Sequence, residues 1–386
     1  MTALFNLGFR PFFLGATWFA VVSMALWMAV YRFHYPLALD GISASQWHAH
    51  EMLYGYAIAV IAGFLLTSIR NWTGLATLTG LPLALAFGLW LAARLMMLLG
   101  TDALVLAACA DLLFMLVLIV ACAVPILRVR QWRQMAILSK LLMLGIGNAL
   151  FYAGALGLHE DGLRWSLYGG LYLVIALILT MARRVIPSFT ERGIEPPVQL
   201  RNSRFLDFSS LILLLVFWIA EVFLQQHAVA AACSAAMFVV NAIRLAFWYR
   251  PGIWKKPLLW SLFTAFALID AGFLLFALSA VLPIAVTLAV HAFAVGGIAL
   301  ITLAMMARVA LGHTGRSVHQ APAVIILPMT LLLLAFMTRV VGPLVAPLHH
   351  GVWVMLSQVC WISAFTVFGV ASVSYTHLTL PTSDLV

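Results

Sequence analysis

The chain has 386 residues, 65% of them hydrophobic and 9% charged, with a mean hydropathy of +1.09. That balance excludes a water-soluble globular domain and predicts an all-α, polytopic membrane protein. The formal charge of +9 does not indicate nucleic acid as a partner, because the basic residues gather in alternate loops, as topology requires.

A membrane-crossing helix needs about 20 apolar residues, and the sequence divides into about twelve such stretches: 11–33, 46–69, 80–99, 103–127, 133–157, 163–187, 205–225, 228–249, 257–278, 283–311, 321–345 and 349–372. Short connections leave no room for a soluble domain, so residues 1–372 read as a single twelve-helix membrane domain. Arg10, Arg70, Arg128, Arg130, Arg133, Arg183, Arg184, Arg192, Arg201, Arg204, Arg250, Lys255, Lys256, Arg308 and Arg316 sit at the N-terminus or in and beside even-numbered loops. By the positive-inside rule the N-terminus is then cytoplasmic. The first apolar run is long enough to span, so no cleavable signal peptide is expected.

The second span opens on "SQWHAHEMLYGYAIAVIAGFLLTSIRNW" (Ser45 to Trp72), with His48, His50 and Glu51 at its head. Ionisable groups inside a span cost a few kcal/mol unless they meet a partner or a cavity, which makes them candidates for function. Residues two apart on a regular helix point about 200° away from one another, so the two imidazoles serve different partners. His48 shares a face with Met52, Gly55, Ala59 and Gly63, a small-residue stripe that lets a neighbouring helix approach. His50 shares its face with Tyr54, Ala57 and Ile61. The zinc pattern H-E-x-x-H fails, because Tyr54 stands where its second histidine would be.

Further along, Asp111 and Asp270 fall near mid-span, and each needs a partner, an arginine or Asn148, unless it lies on a proton path. Cys109, Cys122, Cys233 and Cys360 show no paired spacing and read as buried small hydrophobes. Pro187 to Arg204 is the longest basic connection and divides the chain into two six-helix halves, as a transporter would be divided. Another period competes with that one. Histidine to glycine is five residues in both His50–Gly55 and His291–Gly296, and histidine to a Thr-Gly pair is 23 residues in both His50–Thr73 and His291–Thr314. A weaker echo in the sixth span makes a threefold repeat of four helices possible.

If the second span begins near Gln46 and the tenth near Pro283, His50 and His291 sit roughly 6 Å and roughly 12 Å below their outer ends. Two such histidines on separate helices can bind a heme iron from one or both faces, and Gly296 and Gly297 leave room for a flat macrocycle. Polar glue between helices is the alternative reading. His313, roughly 33 Å further along than His291, belongs to the opposite surface. The last stretch, "VSYTHLTLPTSDLV", changes composition abruptly, and residues 373–386 read as a foreign, adapter-derived tail.

The segments "GFRPFFLGA", "WHAHEMLYGYAIAVIAGFLLTSIRNWTG", "RRVIPSFTERG" and "HAFAVGGIALITLAMMARVALGHTGR" resemble the NnrS family, and the resemblance runs nearly end to end. It implies a bacterial inner-membrane protein that contains heme and copper and is linked to nitric oxide metabolism and nitrosative stress. The matched motifs carry His48, His50, Glu51, Asn71, Trp72, Arg184, Pro187, His291, Arg308, His313 and Arg316. The expected assignment puts His50 and His291 at the heme, with His48 and Glu51 near the copper or supporting it.

The partners expected are the lipid bilayer and nitric oxide or a related small molecule, with the electron donor and any enzymatic activity left open. A transporter of two halves and a heme-based sensor or structural partner are the alternatives.

Overall fold

The computed structural model describes residues 3–36, 39 and 41–376. Among the described residues there is no strand, and eleven helices are long and apolar enough to cross a membrane. They are α1 (Phe9–Phe33), α2 (Ala44–Thr73), α4 (Leu104–Arg128), α5 (Trp132–Ala155), α6 (Gly162–Gly193), α7 (Arg204–Phe223), α8 (His227–Trp248), α9 (Pro257–Ser279), α10 (Val286–His313), α11 (Ala323–Val345) and α12 (Pro347–Ser372), with a shorter apolar helix, α3 (Gly80–Met96), between α2 and α4. Each lies on one of the twelve expected spans, so the chain is an all-helical, polytopic membrane protein.

Two of the boundaries differ informatively. The sixth helix runs through Pro187 to Gly193, where the sequence suggested a linker; Arg192 bonds back to the Ser188 carbonyl at 3.0 Å, and the apolar Ile186 and Phe189 keep the turn worth packing. α2 starts earlier than Gln46, because Ser43 caps it: the Ser43 hydroxyl accepts from the Gln46 amide at 3.2 Å and the Gln46 side chain accepts from the Ser43 amide at 2.7 Å, a reciprocal capping box. Of the expected foreign tail, residues 377–386 lie outside the described residues, and the helix of α12 continues to Thr376.

The chain forms two compact units. The first comprises the described residues up to Leu173, with Val309–Arg316 and those from Phe365 on. Its aliphatic and aromatic core gathers Trp47, Met97, Leu104, Phe151 and Tyr152. The expected small-residue stripe is used as expected: a Cβ on Gly63 would meet the Phe13 ring of α1 at 2.7 Å. Leu85, Leu106, Leu113, Leu116 and Val120 are exposed on α3 and α4, an apolar surface suited to acyl chains.

The second unit comprises Val174–Arg308 and Ser317–Ala364. Here α9 packs against α8 and against the middle of α10, and Gly272 lets the Phe293 ring come in where a Cβ would lie 2.6 Å from it.

The cysteines correct one expectation. Only Cys122 is fully buried; Cys233 and Cys360 are half-buried, and Cys109 is exposed on α4. An apolar membrane surface accepts a thiol as readily as a protein core does, so hydropathy does not say which side it faces.

Candidate functional site

A closed set of polar side chains lies inside the first unit. His50 and Glu51 come from α2, Arg94 from α3, Asp111 from α4, Asn148 and Tyr152 from α5, and the four ionisable ones among them are at most 2% exposed. Arg94 binds both carboxylates, through Nη1 to Glu51 Oε1 at 2.7 Å and through Nη2 to Asp111 Oδ2. Tyr152 donates its hydroxyl to Asp111 Oδ2 at 3.0 Å. The His50 ring closes the circuit, with Nδ1 2.9 Å from Glu51 Oε1 and Nε2 3.0 Å from Asn148 Oδ1, and it stacks on Phe151 at 3.9 Å between centroids.

Local backbone makes this possible. Immediately after His50 the helix widens into a π segment, Glu51–Ala57, and such insertions occur often at functional sites. The loosened ladder is answered by a side chain, since the Trp90 indole donates to the Gly55 carbonyl at 2.9 Å. Gly55 also clears the way for the arginine: a Cβ there would lie 3.2 Å from Arg94 Nη1 and 2.5 Å from the Phe19 ring. One helical turn on, Tyr54 donates to the Ser166 carbonyl at 3.0 Å, with its hydroxyl where Cβ atoms on Gly147 and Gly170 would stand.

Both atoms facing His50 are oxygen acceptors, so the imidazole satisfies both only with a hydrogen on each nitrogen; an exchanged Asn148 amide would need one hydrogen and use the other lone pair. In either arrangement both ring nitrogens are engaged. For His50 to ligate a metal it would have to release Glu51 or Asn148.

His48 behaves differently, as the 200° separation required. It lies flat on Trp27 of α1, with centroids 4.6 Å apart and planes 7° apart. It therefore turns away from Glu51, which faces Arg94. Among the described residues no three His, Cys, Asp or Glu side chains converge as a metal ion would require.

In the second unit, α10 repeats the device of α2. His291 is again followed directly by a π segment, Ala292–Ala299, and Gly296 stands inside it as Gly55 does in the first. Both helices also close alike. Thr73 and Thr314 bond back to Ile69 and Ala310 carbonyls at 2.7 Å and 2.8 Å, and the following Gly74 and Gly315 share φ of +71°. The third copy expected in α6 has no π segment. His291 Nδ1 lies 2.7 Å from the Thr287 carbonyl, so that nitrogen carries a hydrogen and the backbone orients the ring, as a backbone second partner does for metal-ligating histidines. The room expected beside it is filled: Cβ atoms on Gly296 and Gly297 would strike Phe336, Leu268 and Ile269. These glycines serve close helix packing, which small residues in a span also permit.

The remaining motif residues lie at helix ends or loops. Asn71 is exposed and Trp72 offers its carbonyl to Gln131 at 2.6 Å. Arg184 is half-buried on α6, and Arg316 is exposed beyond α10. His313 stacks on Phe9 at 5.4 Å. Arg308 lies over the Phe189 ring at 3.5 Å. Asp111 has the arginine partner expected for it, and Asp270 lies against Asn241 and Arg244. Arg94 was overlooked by sequence reasoning, although an arginine inside the apolar run "LAARLM" is itself the signal. Tyr54, Tyr152 and Ser166 gave no signal, since aromatic and hydroxyl residues are ordinary in spans.

The family model described as "NnrS protein" matches residues 3–376 of the chain. No curated protein matches it.

Proposed function

Because the chain belongs to the NnrS family, we propose that it is a heme- and copper-containing protein of the bacterial inner membrane, acting in nitric oxide metabolism or in the response to nitrosative stress. The match over residues 3–376 carries this reading. Heme iron, when bound, supplies a site where nitric oxide can coordinate. Within the chain, His291 is the residue suited to hold it, because the Thr287 carbonyl at 2.7 Å from Nδ1 orients the ring. His50 holds Glu51 and Asn148 in place within a dry circuit of charge, a supporting role and not a ligand's.

The transporter alternative expects interrupted helices at matching places in two six-helix halves. Interruptions lie in α2, α7, α10 and α11, and α8, the counterpart of α2 in that scheme, has none. The spacing favours the other reading.

The test is an optical spectrum of the purified full chain before and after nitric oxide, with metal analysis of the same sample. A Soret band that shifts with nitric oxide is expected, lost in His291→Ala and kept in His50→Ala. No band in the unmodified protein would end the heme reading, and equal iron content in the unmodified protein and His291→Ala would end the ligand assignment. Nitric oxide consumption followed with an electrode, in the presence of a chemical reductant, separates an enzyme from a sensor.

A further inference from the structure

A second polar feature, in the second unit, takes no part in the chemistry above. The end of α6 at Gly193, the start of α9 from Lys256 to Leu259, Arg308 of α10 and Val318, His319 and Ala321 line a small, shallow recess open to its surroundings. Lys256 and Arg308 bring cations to its lining, and the rest is largely apolar.

Among the described residues, no carboxylate is paired with these cations or with nearby Arg192, and Arg308 is half-buried. Arg192 is held by Ser188, and the adjacent acid, Glu191, instead accepts from the Leu200 amide at 2.9 Å. Lys256 has only a carbonyl, that of His319 at 3.2 Å. The Phe189 face beneath Arg308 orients the guanidinium and adds attraction for a cation, but it does not neutralise the charge. Like charges brought together at partial burial are stabilised by an anion that binds beside them.

A guanidinium fork and an ammonium lining one recess match a phosphate group, which accepts from both. The first turn of α9 adds the positive end of a helix dipole to the same recess. The recess also opens at the arginine-rich ends of its helices, where basic pockets between spans take lipid headgroups, and Leu258, Leu259, Val318 and Ala321 offer apolar surface beside the cations. We propose that this recess binds a phosphate-bearing anion through Lys256 and Arg308, with the headgroup of an anionic phospholipid as its source.

The test uses the purified full chain in detergent, with thermal unfolding followed after addition of phosphatidylglycerol, phosphatidylcholine or inorganic phosphate. Phosphatidylglycerol should raise the melting temperature and equal phosphatidylcholine should not, since a ligand that binds only the folded state stabilises it. Lys256→Gln should weaken the apparent affinity by about fivefold, the equivalent of about 1 kcal/mol for one cation near a membrane surface. Lys255→Gln, exposed and outside the recess, should leave it unchanged. Arg308→Lys keeps the charge but loses the fork, and should fall between the unmodified protein and Lys256→Gln. Native mass spectrometry of the same preparations should find phosphatidylglycerol retained on the unmodified protein and on Lys255→Gln, and depleted on Lys256→Gln. If inorganic phosphate alone reproduces the stabilisation with the same dependence on Lys256, the site stands and its ligand is a soluble phosphate. If neither anion stabilises beyond phosphatidylcholine, or Lys255→Gln and Lys256→Gln weaken binding equally, the proposal is overturned.

Discussion

The helices α2 and α10 carry the same backbone device with opposite uses of its histidine. Each has a histidine, a π segment beginning at the next residue, a glycine inside that segment and a Thr-Gly stop with φ of +71°. In α2 the neighbouring helices supply charged and polar partners: Arg94, Asp111 and Asn148 enclose His50 and Glu51. In α10 the residue after histidine is Ala292, the glycines receive Phe336, Leu268 and Ile269, and His291 turns to a carbonyl of its own helix. A local motif therefore sets how a histidine is presented, while the neighbours decide whether it joins a buried polar circuit or bonds to its own helix.

The largest effect expected of any single change bears on this contrast. Arg94→Met leaves Glu51 and Asp111 buried without their cation, and breaking a buried ion pair in this way costs about 3–5 kcal/mol. Thermal unfolding in detergent should show a loss of that order, whereas His291→Ala, which leaves no buried carboxylate pair without its cation, should cost much less. Similar losses from the two would mean that the charged circuit is not what distinguishes α2.

A smaller and sharper comparison sets Gly55→Ala beside Gly296→Ala. Both overpack a full site, at about 1–3 kcal/mol each, since the added carbon would meet Phe19 in one and Phe336 in the other. Gly55→Ala should cost more, because the same carbon crowds Arg94 away from Glu51. Equal unfolding temperatures would detach the glycine from the ion circuit.

The smallest effect tests the likeness itself. Gly74→Ala and Gly315→Ala meet nothing within 4 Å, so each should lose only about 1–2 kcal/mol of left-handed backbone strain. Matching losses support the duplication; a cost in one copy alone would break it.

Much of the architecture is legible without coordinates, since a span of twenty apolar residues has few other physical options. The divergence of His48 and His50 also follows from helical geometry, and Trp27 on one side with Phe151 on the other bears it out. The π turns are not legible, because a widened turn depends on a partner such as the Trp90 indole reaching the Gly55 carbonyl, 35 residues away in sequence. The same holds for Gly296 and Gly297, whose spacing allows a cofactor slot or a tight helix contact equally well.

By itself, the order of residues determined that this chain crosses a membrane many times on helices, because backbone polar groups in lipid must be satisfied within each segment. It also marked His50, Glu51 and Asp111 as residues in need of partners, because charge in lipid is costly. Only the tertiary structure decided that those partners are Arg94 and Asn148, and that His291 has another environment. Side-chain pairing across helices depends on which faces meet, and hydropathy carries no information about that.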